Sequence, residues 1–286
     1  MVLLTMVLTK YALMESGVFI QNFFFNNLQF TYLSSSILFI TAGGYIINDI
    51  FDLRTDKINK PNKVIIDRFI TTKSALKAYY IITSLGLLLG FLMSYKWYHL
   101  GLFLVPTIVL FLYSKYFKKK MFLGNVIISL LIAYSIYLIY KYHFITQCCY
   151  EYSIFEEPLK NTIFVYIIFS FITTLIREII KDIEDINGDL KIKAKTLPIV
   201  IGRKRASHVA FFFSSILLIF LLLVLQFIRS EYLFLGYGII FLLLPLLYFM
   251  YKLWFAETKK DFSSLSNQMK IIMLFGILSM LLFKFI

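Results

Sequence analysis

Apolar positions in this chain come in long blocks rather than in one-sided stripes. Runs of mostly apolar residues recur at 2–20, 30–50, 75–95, 99–117, 121–141, 161–181, 207–228, 232–252 and 268–286. Each approaches the roughly 20 residues that a helix needs to cross about 30 Å of bilayer hydrocarbon. The pattern predicts an all-α polytopic membrane protein with nine transmembrane helices. Nine spans use nearly the whole chain, so no separate soluble domain is expected.

Polar positions between the blocks add an orientation. The connections 51–74, 115–120, 177–205 and 252–270 carry six, four, eight and four Lys or Arg, which is 22 of the 29 in the chain. They are the alternate connections, so one side of the membrane collects most of the positive charge. Excess Lys and Arg marks cytoplasmic loops, which places the N-terminus inside and the C-terminus outside. The remaining connections, 21–29, 96–98, 142–160 and 229–231, are short or weakly charged.

Composition agrees. The chain is 60% apolar or aromatic and 16% charged, against about 45–50% and 25% in soluble domains, and it is far too apolar to be disordered. The net charge of +13 follows from loop topology and calls for no nucleic-acid partner; the expected surroundings are membrane lipids. Cys148 and Cys149 are adjacent, a poor arrangement for a disulfide, and indicate neither a framework nor a metal site. Residues 1–10 lack the basic start and small-residue cleavage site of a signal peptide and read as the start of a first span.

Two segments repeat a pattern. Asn48-Asp-Ile-Phe-Asp-Leu-Arg-Thr-Asp56 and Lys181-Asp-Ile-Glu-Asp-Ile-Asn-Gly-Asp189 share x-Asp-Ile-x-Asp-x-x-x-Asp, 133 residues apart. Each follows an even-numbered span, so both lie on one face of the membrane, as in the halves of a pseudo-symmetric membrane fold. On a helix Asn48, Asp52 and Asp56 form a column about 12 Å long. Asp185 and Asp189 form a second column; Asp182 lies close to that face, and Asp49 is rotated about 100° from Asn48.

Eight of the sixteen carboxylates, Asp49, Asp52, Asp56, Glu178, Asp182, Glu184, Asp185 and Asp189, fall in or beside these segments. Solvated helix ends would be the plain explanation, but like charges at i,i+4 repel and something must offset them. Oxygen-only clusters suit a hard cation, and Mg²⁺ takes one or two carboxylates plus substrate phosphates. Arg54, Lys57, Lys60 and Lys63 surround the first column; Arg177, Lys181, Lys191, Lys193 and Lys195 surround the second. Carboxylates for metal and cations for phosphate are what a diphosphate site requires.

These motifs resemble those of the UbiA-type intramembrane prenyltransferases. The first signature is Asn48 to Asp56 with Lys57-Ile-Asn-Lys-Pro-Asn62, the second Arg177 to Lys191 with Lys195-Thr-Leu-Pro198. Together with the nine-helix layout, the resemblance covers essentially the whole chain. It implies one membrane domain over 1–286, a helical bundle around a central cavity open to the cytoplasmic side, and Mg²⁺ as cofactor with a polyprenyl diphosphate donor and a lipophilic acceptor as partners. It further implies Asp52, Asp56, Asp185 and Asp189 as the catalytic carboxylates. Asn48, Asp52, Asp56, Asp185 and Asp189 would be metal or metal-water contacts, with Asp49 and Asp182 accessory to the metal. Asn48, Lys118, Arg177, Lys191 and Lys195 would contact the diphosphate, and Lys115 or Lys119 could fill the place of Lys118.

The chemistry implied is ionisation of an allylic diphosphate and capture of the cation by an acceptor nucleophile inside an apolar cavity that excludes water. Lys57-Ile-Asn-Lys-Pro, Lys181-Asp-Ile-Glu-Asp and Ala194-Lys-Thr-Leu-Pro198 look most like the branch that prenylates the glycerol hydroxyl of a prenylglyceryl phosphate. Lys191, Lys193, Lys195 and Arg203-Lys-Arg205 offer cations for the acceptor phosphate, although the last cluster reads equally as a topological anchor. Prenylation of an aromatic acceptor such as 4-hydroxybenzoate is the nearest competitor. Outside enzymes, the competitor is a transporter of an anionic substrate.

Departures from the family pattern are local. Lys63-Val64 stands where an Arg-Pro is usual, and Lys193 where a Gly is usual. The first span lacks the family's early Arg-Pro and Asn, which reads as an N-terminus extending upstream of Met1. Lys10 inside that span is expected either to face the cavity, as a further diphosphate contact, or to snorkel.

Overall fold

The computed structural model describes residues 1–16, 26–59, 61–146 and 156–285, and among them there is no strand. Cys148, Cys149, the end of the first predicted span and most of the 21–29 connection lie outside the described residues. The helices are α1 (Val2–Leu8, continued by a π-helical turn Thr9–Met14), α2 (Asn27–Asn59), α3 (Thr72–Leu92), α4 (Gly101–Lys115), α5 (Leu123–Thr146) and α6 (Glu156–Lys191). After these come a short α7 (Leu197–Ile201), α8 (Arg203–Phe227), α9 (Tyr232–Tyr237), α10 (Leu244–Trp254) and α11 (Lys259–Leu278). A π-helical turn, Gly238–Leu243, joins α9 to α10 as one span, and a 3₁₀ turn, Ser279–Lys284, extends α11.

Eight of these elements are long and apolar enough to cross a membrane; the described part of the first, Val2–Met14, is shorter. Of the 2–20 reading, Val2–Met14 is helical and residues 17–20 lie outside the described residues. Two other boundaries move for identifiable reasons. The helix α11 begins at Lys259, ahead of the apolar window, because the Thr258 side chain accepts from the Asp261 N–H and Asp261 caps Thr258 in return. With 33 and 36 residues, α2 and α6 are about 50 Å or more long and overrun the hydrocarbon core by some 20 Å. The aspartate motifs occupy the C-terminal ends of both helices, beyond their most apolar stretches, so the carboxylates follow the apolar run without a break in the helix.

The chain forms two compact units. One comprises residues 25–131 and 185–200, the other 1–24, 132–184 and 201–286. In the first, α2 and α3 approach closely through small residues. Ser36 Oγ donates to the Gly86 carbonyl at 2.7 Å, and a Cβ at Gly86 would lie 3.0 Å from the Ile40 backbone nitrogen. One turn later a Cβ at Gly90 would press on the Phe103 ring of α4 at 2.6 Å.

In the second unit, Tyr166 and Ser279 share a hydroxyl hydrogen bond at 2.8 Å, and the Tyr237 hydroxyl donates to the Phe275 carbonyl at 2.8 Å. Tyr166, Tyr237 and Ser279 border an apolar cavity of about 230 Å³ that includes Phe169, Phe234 and Phe283. None of the motif carboxylates lines it. Lys10 of this unit is fully buried, with Nζ 3.6 Å from Glu15. A buried, paired ammonium corrects the snorkelling alternative, and Glu15 as the partner was not apparent from spacing alone.

Candidate functional site

The first column stands on the overrun of α2. Asn48 Nδ2 donates to Asp52 Oδ2 at 2.7 Å, one helical turn away, and Asp52 is only 7% exposed. The Lys118 ammonium pairs with Asp52 Oδ2 and lies 3.5 Å from Asn48 Oδ1. Lys118 sits in the 3₁₀ turn Phe117–Lys119 after α4, outside the spans. Glycine at 124 lets α5 start against this turn, since a Cβ there would lie 3.0 Å from Lys118 Cα and from the Phe117 carbonyl oxygen.

Burial opposes the charge of Lys118, but the Asp52 carboxylate outweighs it, and Tyr113 and Asp56 add to the effect, so its pKa is held above the ordinary lysine value. Of the three lysines the sequence left open, Lys118 is the one turned toward the column. Lys115 is exposed and lies over the Phe111 and Tyr116 rings, and Lys119 is exposed.

The second column stands on the last turns of α6. Asp189 is 9% exposed and lies within electrostatic reach of Lys118, Asp185 and Asp52. Carboxylates of both columns thus feel the charge of one ammonium. Asp49, exposed, interacts electrostatically with Asp56, Asp52 and Lys118.

Two backbone devices fix this arrangement. Asn59 Oδ1 accepts from the Gly188 N–H at 2.9 Å while its Nδ2 donates to the Asp185 carbonyl at 3.0 Å. Glycine is required at 188, because a Cβ would lie 2.7 Å from Asn59 Cγ and 2.8 Å from Thr55 Cγ2. The Lys195 N–H then donates to the Lys119 carbonyl at 2.9 Å, tying the chain after α6 to the turn that carries Lys118. Sequence reasoning assigned Asn59 no role; its signal was its position three residues after Asp56, on the face of the first column.

Lys193 has φ 55° and closes α6, with the Ala194 N–H bonded to the Asp189 carbonyl at 3.0 Å. Left-handed backbone of this kind favours glycine over lysine. Lys191 and Lys195 are exposed beside the second column. Arg177 and Asp182 precede it on α6 and belong to the other compact unit, where Arg177 donates to Glu178 at 2.7 Å and Lys181 Nζ lies 3.2 Å from the same carboxylate.

The profile of the UbiA prenyltransferase family matches residues 2–274. The chain belongs to the UbiA prenyltransferase family. It is an integral membrane prenyltransferase. Curated relatives include the digeranylgeranylglyceryl phosphate synthase of Saccharolobus solfataricus, 32% identical over 247 residues that cover 85% of this chain and 80% of the relative. The synthase of Methanosphaera stadtmanae is 31% identical over 254 residues, covering 86% and 85%.

Solved structures agree on the fold. A UbiA homologue from Aeropyrum pernix has a TM-score of 0.69 at 12% identity, covering 97% of this chain and 96% of its own. Another from Archaeoglobus fulgidus, bound to GPP and Mg²⁺, has a TM-score of 0.61 at 15% identity, covering 98% and 94%.

For a UbiA-family enzyme the question is whether these side chains suit a divalent cation. The donor set is all oxygen, two of its carboxylates are buried, and a lysine ammonium stands among them. That is the chemistry of a hard-cation and phosphate site. Among the described residues no three His, Cys, Asp or Glu side chains already close on one ion-sized point. Mg²⁺ does not need such a cage when substrate phosphates complete its shell.

Proposed function

We propose that this prenyltransferase moves a polyprenyl group from an allylic diphosphate to the glycerol hydroxyl of a prenylglyceryl phosphate, forming an ether lipid. The observation that carries the reading is Lys118, a cation whose charge reaches both the Asp52 and the Asp189 columns. The identity of the curated relatives favours the glyceryl phosphate acceptor over an aromatic one. We read residues 1–286, both compact units together, as one functional domain, on the cytoplasmic side of whose membrane the positive loops gather the site.

In this reading Asn48, Asp52 and Asp56 from α2, with Asp185 and Asp189 from α6, would hold Mg²⁺ directly or through water, and Asp49 and Asp182 would add negative charge nearby. Bound there, Mg²⁺ would neutralise the diphosphate and make it a better leaving group. Lys118 donates to the diphosphate oxygens, its charge secured by Asp52 until the substrate arrives. Arg177, Lys191 and Lys195 supply further phosphate contacts, the last two for the acceptor phosphate as well. The C1–O bond to diphosphate breaks, a bond from C1 to the glycerol oxygen forms, and the hydroxyl proton is released. Apolar walls keep water from intercepting the cation.

The test uses purified protein, labelled geranylgeranyl diphosphate and Mg²⁺, with geranylgeranylglyceryl phosphate and 4-hydroxybenzoate offered in parallel. Label in the glyceryl ether supports the reading. Label in the aromatic product alone reassigns the acceptor, and no transfer and no diphosphate release with either would end it. Replacing Asp52 or Asp185 by Asn should abolish turnover while leaving the protein folded.

A further inference from the structure

The connection between α2 and α3 contains Val64-Ile-Ile-Asp-Arg-Phe-Ile70, an apolar run on the charged side of the membrane. Its side chains divide by face. Val64 and Ile66 are buried, whereas Ile65, Phe69 and Ile70 are 53%, 74% and 47% exposed. Three large apolar side chains clustered outward are costly in water and call for a cover.

The turn that displays them is preformed. The Ile65 carbonyl accepts from the Arg68 and Phe69 N–H groups at 3.2 and 2.9 Å, and the Asp67 N–H donates to the Ile70 carbonyl at 2.9 Å. Asp67 has φ 66°, and its carboxylate receives Thr72 Oγ1 at 2.9 Å and Lys57 Nζ at 3.1 Å. The display is thus clamped to α3 at one end and to α2 at the other.

Depth argues for what covers it. With 21 residues α3 is about 32 Å long, just enough to cross the hydrocarbon. Its first turn therefore stands at headgroup level, and Phe69 and Ile70 directly precede it. Leu76 and Tyr80, one turn apart on α3, are exposed as well. Cations flank the turn: the Arg68 guanidinium lies over the Phe69 ring at 5.1 Å, and Lys73 and Lys77 are exposed one turn apart. The carboxylate of the turn itself, Asp67, is engaged by Lys57 and Thr72.

We propose that the 65–70 turn is an interfacial anchor selective for anionic lipid: Ile65, Phe69 and Ile70 enter the headgroup boundary while Arg68, Lys73 and Lys77 pair with lipid phosphates. This goes beyond the transferase reading and does not depend on it, because it uses no residue of the aspartate site.

The test reconstitutes full-length protein carrying Phe69→Trp in a Trp97→Phe, Trp254→Phe background into nanodiscs of phosphatidylcholine with or without phosphatidylglycerol. The introduced indole is then the sole tryptophan. Shallow-brominated lipid should quench its fluorescence several-fold more than aqueous iodide does, and phosphatidylglycerol should strengthen the quenching. In a protein carrying Arg68→Gln, Lys73→Gln and Lys77→Gln, enrichment of phosphatidylglycerol among co-purified lipids should fall about fivefold per removed charge, with transferase activity in detergent unchanged.

Iodide quenching that ignores lipid, or undiminished enrichment in the triple variant, overturns the proposal. So does fluorescence of the Phe69→Trp protein that responds to geranylgeranyl diphosphate and not to lipid, which would make the segment a lid, or to an added soluble protein, which would make it a protein contact. Circular dichroism on each variant separates these outcomes from misfolding.

Discussion

The carboxamide of Asn59 on α2 grips the backbone of α6 at Gly188, with an N–H received at 2.9 Å and, from the same side chain, a donation to the Asp185 carbonyl at 3.0 Å. One neutral residue sets the register between the two carboxylate columns, and its place is open because Gly188 has no side chain.

Gly188→Ala should therefore be more harmful than a helical Gly→Ala usually is. The added methyl meets Asn59 Cγ at 2.7 Å and Thr55 Cγ2 at 2.8 Å, and overpacking of this kind costs about 1–3 kcal/mol. We expect a lowered melting temperature and a loss of kcat of about tenfold or more, as misplacement of reacting groups by a fraction of an ångström or more commonly produces. Asn59→Ala, which cannot clash, should lose activity while losing only about 1–2 kcal/mol of stability. Wild-type kinetics in Asn59→Ala would remove the residue from the site's architecture.

Lys118→Met leaves Asp52 nearly buried without its cation. Fully buried pairs cost about 3–5 kcal/mol to break; the lysine side chain is 36% exposed, so we expect about 1–3 kcal/mol after allowing for solvent, together with loss of turnover. Lys119→Met should be near neutral in stability. Gly124→Ala, which crowds Lys118 Cα and the Phe117 carbonyl oxygen at 3.0 Å, should reduce kcat without removing any charged group. Denaturation curves and kinetics on the three variants, measured side by side, check this ordering.

Lys193→Gly should stabilise the protein by about 0.5–1 kcal/mol, because φ 55° strains a lysine and leaves a glycine relaxed. Unchanged kinetics alongside a raised melting temperature would mean that Lys193 only closes α6. A raised KM for the acceptor would show that its ammonium also meets phosphate.

The Asp67 clamp carries a pH signature. Hydrogen bonds from Lys57 and Thr72 hold the Asp67 carboxyl below its usual range, opposed by slight burial. A lowered folded-state pKa means that the carboxylate stabilises the fold above the unfolded value, about 3.9, and that this contribution fades as pH falls through the folded value. The stability gap between wild type and Asp67→Asn should be constant near neutrality and close in acid. A gap that widened on acidification would contradict the assignment.

Much of this protein is visible in local spacing. The apolar blocks locate eight spans and indicate a ninth, and the i,i+4 steps from Asn48 to Asp56 and from Asp185 to Asp189 place the carboxylates in columns, because helical geometry repeats every 3.6 residues whatever surrounds it. Resemblance to the family pattern also singles out Lys193, the residue that carries the left-handed backbone at the end of α6. The extent of α11 was not visible, since its first turns are polar and the Thr258 cap, rather than hydrophobicity, starts the helix.

What the sequence by itself determined is the membrane class, the family signatures and the columnar spacing of their carboxylates, all set by period, composition and motif. Only the tertiary structure decided that Lys118 rather than Lys115 or Lys119 meets Asp52, that Asn59 holds α6, that Lys10 pairs with Glu15 and that Phe69 faces outward. These are long-range or orientational outcomes: Lys118 and Asp52 are 66 residues apart and Asn59 and Gly188 are 129 apart. No local spacing encodes such a meeting, which is fixed by helices packing where glycine lets their backbones approach.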